Sequence, residues 1–112
     1  MDPADEWGRD PNVRSMRRIF SRLEAAQEAL FLNLRIPRFD PRLRRWREQA
    51  RIAFDRSCAK AASLRIQMNE DLAGVVYIHG LAGIMATEGV EVPVEILPGI
   101  DRFKDAVKEI LP

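Results

Sequence analysis

Apolar positions recur along this chain in three- and four-residue steps from the first structured-looking residue onward. Val13, Met16, Phe20, Leu23, Leu30 and Leu34 fall on one face of a helix, with Gln27 in the one polar slot of that face. This spacing predicts an amphipathic helix from about Pro11 to Leu34. A second stripe, Leu43, Trp46, Ala50, Ala53, Phe54, Ser57, Ala61, Leu64 and Met68, predicts a helix from Pro41 to about Met68. Both starts carry the same punctuation thirty residues apart, "DPNVRSMRR" and "DPRLRRWRE". Asp suits the cap, where its carboxylate accepts from orphan N–H groups. Pro suits the first helical position, where its missing donor costs nothing. Between them, "RIPRFDP" is a short stiff loop, because the residue before proline avoids helical dihedrals.

The second helix has a further apolar row, Ile52, Ala59 and Ile66, on roughly the opposite side. A helix in a two-helix hairpin needs only one apolar face. The extra row therefore asks for a third helix or a second subunit.

Residues 69–88 contain "VVYIHG" and are apolar nearly all round. Valine, tyrosine and isoleucine favour a strand, and Gly74, Gly80 and Gly83 each cost roughly 1 kcal/mol in a helix interior. The length between Asn69, a plausible cap, and Gly89, a plausible stop, leaves no turn for a strand hairpin. The expectation is a buried helix whose glycines permit close backbone contact. "VEVPVEIL" then alternates valine and glutamate, and Pro93 makes it an arm or an edge. Ile100, Phe103, Val107 and Ile110 give a last short helix that is marginal alone and must dock.

The predicted fold is all-α: a long antiparallel helical hairpin, a buried third helix, an extended arm and a short C-terminal helix. The 112 residues suit a single domain, read as a loose acidic tail (1–9), a helical core (10–89) and an arm with terminal helix (90–112).

Composition narrows the chemistry. An apolar share of 46% and a charged share of 31% belong to a globular protein. The fifteen-residue apolar run Leu72–Ala86 is too short to span a bilayer, and the acidic, proline-bearing N-terminus is not a signal peptide. With one cysteine, no internal disulfide forms, and a cytoplasmic location is expected. His79, the one histidine, lacks a second histidine or a G-x-S-x-G partner for acyl chemistry. One Cys and one His cannot make a zinc site in one chain, and no phosphate-loop pattern occurs. The reading is of a protein without catalytic activity, metal or cofactor.

Charge supplies the remaining candidate. Residues 9–65 hold 14 Arg and one Lys against six acids, a net +9, whereas residues 66–112 are net −5. Arg35, Arg38, Arg42, Arg44, Arg45, Arg47 and Arg51 fall within seventeen residues, with Phe39 and Trp46 among them. Arg35, Arg38, Arg42, Arg44, Arg45 and Arg51 are candidates for contact with an acidic protein or with phosphate. Glu88, Glu91 and Glu95 offer partners inside the chain. Ile52, Ala59, Ile66, Val92, Val94, Ile96, Phe103 and Val107 are the candidate oligomer interface. The expectation is a small, dimeric interaction or adaptor protein. The alternative is a nucleic-acid-binding regulator using the arginine face of residues 35–51.

Overall fold

The computed structural model describes residues 11–111, with side chains described from residue 16. The acidic tail and the capping role of Asp10 lie outside the described residues. Four α-helices follow in order: α1 Pro11–Asn33, α2 Arg42–Ser63, α3 Glu70–Thr87 and α4 Lys104–Ile110. Single 3-10 turns occupy Val94–Ile96 and Asp101–Phe103, and no strand forms among the described residues. The fold is the all-α hairpin expected, and α3 is its centre. It packs closely on α2 and on α1, and α4 docks across α2 and α3.

Local signals explain the starts. Pro41 already has helical dihedrals, and the Asp40 carboxylate accepts from the Arg42 N–H at 2.9 Å. Asn69 caps α3 by accepting from Leu72 N–H at 2.9 Å, and Glu70 and Asp71 occupy the first turn, where the helix dipole favours anions. The "VVYIHG" stretch is thus helix, and Val75, Val76, Tyr77 and Ile78 are all buried. A helix apolar all round is satisfied here because α1, α2 and α4 surround it.

The helix ends differ from expectation. α2 stops at Ser63, five residues before Met68, and α1 stops at Asn33. At both ends an arginine takes the left-handed conformation normally left to glycine: Arg35 at φ 57° and Arg65 at φ 58°. Ile36 N–H then bonds Phe31 O at 3.0 Å, and Ile66 N–H bonds Ala61 O at 2.8 Å. These are Schellman closures, which satisfy orphan carbonyls whatever residue sits at the turn. Gly89, at φ +83°, ends α3 in the same way. The early stop of α2 leaves Leu64 exposed, carries Ile66 onto the core from the loop and leaves Met68 half-buried against it.

The arm is irregular rather than strand-like, because Pro93 leads into a 3-10 turn. Its apolar residues turn inward: Val92, Ile96 and Leu97 pack on the core, as do Ile100 and Phe103, and Val107 and Ile110 are buried. The docking demand of the last helix is therefore met on the chain's own α2 and α3. The glycines of α3 correct the expectation of close backbone contact. A Cβ built at Gly74, Gly80 or Gly83 meets nothing within 4 Å.

The core is centred on Trp46, Leu81, Met85, Val76 and Ile110. Gln27, the polar residue of the α1 stripe, is only 4% exposed, and the Tyr77 hydroxyl of α3 donates to its Oε1. Phe54 meets Tyr77 edge to face at 5.8 Å and Phe20 at 6.4 Å, tying the three long helices together.

Candidate interaction surface

The hairpin tip is built from the last turn of α1, the loop 34–41 and the first turn of α2. Leu32 and Phe39 are 78% and 88% exposed there. Leu32 follows Phe31, which is buried against Trp46, with ring centres 6.4 Å apart. Leu30 and Phe31 are both buried, and Leu32, about 200° round the helix from Leu30, falls on the outer side. Phe39 lies in the loop turn between Pro37 and the Asp40 cap. Beside Leu32 lies a hollow of about 180 Å³ lined by Phe31, Ile36, Arg38 and Leu43.

The arginines divide into two sets. Arg42 forms a forked pair with Asp40, 2.7 Å at its closest, and lies over the Trp46 ring at 4.7 Å. That pairing holds the Asp40 carboxyl below the usual carboxylate range. Arg45 pairs with Glu88, which also accepts from the Trp46 indole N–H. Arg47 pairs with Glu28 at 2.7 Å and lies over Phe31, and Arg51 lies 3.8 Å over Phe20. These four arginines are tied into the fold. By contrast, the guanidinium groups of Arg35, Arg38 and Arg44 make no ion pair, hydrogen bond or ring stack among the described residues, and all three side chains are exposed. The left-handed backbone at Arg35 costs roughly 1–2 kcal/mol for a side-chain-bearing residue.

The proposed oligomer-interface residues are scattered. Ile52 is 48% exposed, Ala59 is exposed, and Val94 is 78% exposed. Ile66, Val92, Ile96 and Phe103 are half-buried against the chain's own core, and Val107 is buried in it. Leu32 was not singled out by periodicity. The signal that could have found it is the apolar run Leu30-Phe31-Leu32, since one buried face cannot hold three consecutive helical residues.

The two reactive side chains are held quietly. His79 donates from Nε2 to Pro98 O at 2.7 Å, fastening the end of the arm to α3. Burial raises the Cys58 thiol above its ordinary value, with Asp55 adding to the rise and Arg51 opposing it. No group of three or more His, Cys, Asp or Glu with metal-binding placement occurs among the described residues. No helix among them is long and apolar enough to cross a membrane.

Fold and surface define a small all-α protein with an apolar, arginine-bearing hairpin tip. No family model, curated protein or solved structure matches the chain.

Proposed function

We propose that this chain is a non-catalytic, self-associating interaction or adaptor protein of the cytoplasm that grips an acidic protein partner with its hairpin tip. The observation that carries the reading is the tip itself. Two large apolar side chains stand mostly in water, in the same hairpin tip as three arginines that form no ion pair among the described residues. Exposed apolar groups rimmed by charge are typical of contact surfaces. The fitting partner is an acidic amphipathic helix: its apolar side chains cover Leu32 and Phe39, and its carboxylates meet Arg35, Arg38 and Arg44. Self-association has narrower support, in the exposed Ile52 and Ala59 row and in Val94. The quiet environments of His79 and Cys58 support the absence of catalysis.

Nucleic-acid binding is the second reading, favoured by Phe39 as an exposed stacking ring in a tip whose Arg35, Arg38 and Arg44 form no ion pair among the described residues. Fluorescence anisotropy separates the two, with a labelled Leu/Glu amphipathic helix and a labelled single-stranded RNA as probes. The peptide is expected to bind and to lose at least tenfold in affinity with Leu32→Ser or Phe39→Ser. Tighter binding of the RNA, falling steeply with salt, would instead establish the nucleic-acid reading. No response from either probe refutes both. Light scattering tests the self-association: a clean monomer ends that part of the proposal.

A further inference from the structure

The acidic half of the chain carries a small counterpart of the hairpin tip. Val94 is 78% exposed, and among the described residues it is the one large exposed apolar side chain of residues 66–112. Glu91 and Glu95 flank it in sequence. Both are exposed, and neither forms an ion pair among the described residues. The segment is anchored on both sides. Val92 packs on the core before it, Ile96 and Leu97 pack there after it, and Pro98 O accepts from His79. The 3-10 turn between these anchors presents Val94 outward. A contact already held in shape costs less to order on binding.

Tip and arm also lie towards the same end of the molecule. The arm leaves α3 at Glu88, which pairs with Arg45 and Trp46 at the start of α2. It is fastened again at His79, near the middle of α3. Leu32, Phe39 and Val94 nevertheless all stay exposed, so the chain does not cover its tip with its own arm. Two copies related by a two-fold axis can each seat an arm on the other's tip, and such a pair closes on itself.

We infer that the arm of a second copy occupies the hairpin tip when no partner is bound, so that self-association and partner binding exclude each other. Val94 of one copy covers Leu32 and Phe39 of the other, while Glu91 and Glu95 meet Arg35, Arg38 and Arg44. Tip on tip would crowd arginine against arginine, and arm on arm carboxylate against carboxylate, so charge selects the mixed contact. An acidic partner must displace the arm, and its apparent affinity falls with the fraction of tips already covered. The competition, though not the pairing of copies, rests on the tip as a site for acidic partners.

Charge reversal tests the pairing, by light scattering and sedimentation velocity on the full chain. One protein carries Glu91→Lys and Glu95→Lys, the other Arg35→Glu, Arg38→Glu and Arg44→Glu. All five side chains are exposed, so both proteins should fold, which circular dichroism checks. Wild type is expected to be a dimer and each reversed protein alone a monomer. Mixed in equal amounts, the two should form a heterodimer, because each arm again meets a tip of opposite sign. The Leu/Glu amphipathic helix should dissolve the wild-type dimer and bind the arm-reversed monomer several-fold more tightly than wild type. A monomeric wild type, a dimer that survives either reversal, or a mixture that stays monomeric overturns the pairing. Peptide binding that leaves the dimer intact overturns the competition. The two readings fail separately. A monomeric wild type that still binds the peptide refutes only the second copy as occupant. A dimer restored by mixing but indifferent to the peptide refutes only the acidic partner.

Discussion

The bond between Tyr77 and Gln27 gives the sharpest test of how this core is held. It joins α3 to α1 across fifty residues, and both side chains are buried. Tyr77→Phe removes one hydroxyl and keeps the ring, so the edge-to-face contact with Phe54 survives. What changes is Gln27, whose Oε1 is left in the core without that donor. An unsatisfied buried acceptor costs about 1–3 kcal/mol. Gln27→Leu strands the Tyr77 hydroxyl instead, at a similar cost, partly offset by the added apolar burial. The double variant strands neither group, since it replaces both partners with apolar ones, and should lie close to wild type. The coupling is the sum of the two single costs when the double variant costs nothing, so at least about 2 kcal/mol is expected, well outside the roughly 0.5 kcal/mol scatter of independent sites. Urea melts followed by circular dichroism at 222 nm measure all four proteins. In melting temperature, each kcal/mol corresponds to roughly 4 °C at this size. Strict additivity would refute the bond as a stabilising link. A pH arm checks the same group. Burial raises the Tyr77 pKa above its ordinary value of 10.0. The unfolded chain thus releases the proton first, so stability is full below pH 10 and falls as pH rises through the folded pKa. Tyr77→Phe should flatten that decline.

Other positions yield shorter tests by the same melts and by labelling. Glu88→Ala leaves the Trp46 indole N–H without its acceptor and should cost about 1–3 kcal/mol, whereas Arg45→Ala, which removes an exposed pair, should cost under about 1 kcal/mol. Arg65→Gly relieves a left-handed side-chain-bearing residue and should raise stability by a few tenths to about 1 kcal/mol, net of glycine's added freedom when unfolded. Asn69→Ala should cost about 1 kcal/mol through loss of the α3 cap, with a fall in urea midpoint and an unchanged slope. Cys58 should react with a disulfide reagent at pH 8 far more slowly in the folded chain than in urea, since burial keeps the thiol protonated.

How much of this was legible in the sequence follows from the range of each interaction. Asn69, Asp40 and Pro41 act on backbone within three residues, and their roles were readable from spacing alone. The buried stripe of α2 was readable through Ala61, because periodicity is local too. The ends of α1 and α2 were not, since arginine carries no left-handed signal and the turns close through backbone bonds that any residue supplies. Long-range facts were invisible in another way. Gln27 read as an exception in an apolar stripe until Tyr77 gave it a partner. Val107 and Phe103 read as surfaces in need of cover, and the cover is the chain's own α2 and α3. At the tip, the arginines were visible as a cluster, but not which of them were already engaged.

That division follows from the charge asymmetry between the two halves. The basic half could have been one uniform anion-binding face, but the acidic half spends part of it. Arg22 pairs with Glu70 at 3.0 Å and Asp71 at 3.2 Å, and Arg45 pairs with Glu88. Each joins the basic hairpin to α3 or its end, so part of the asymmetry serves folding. Such exposed pairs contribute little each and weaken with salt, so the fold itself should depend on salt only mildly. Arg35, Arg38 and Arg44 differ because no acid of the acidic half pairs with them. Their charge remains available to a partner, and any affinity built on it must fall with salt even while Leu32 and Phe39 keep their apolar share. A tip whose binding is indifferent to salt would therefore be an apolar anchor alone, and the three arginines would be solvated bystanders.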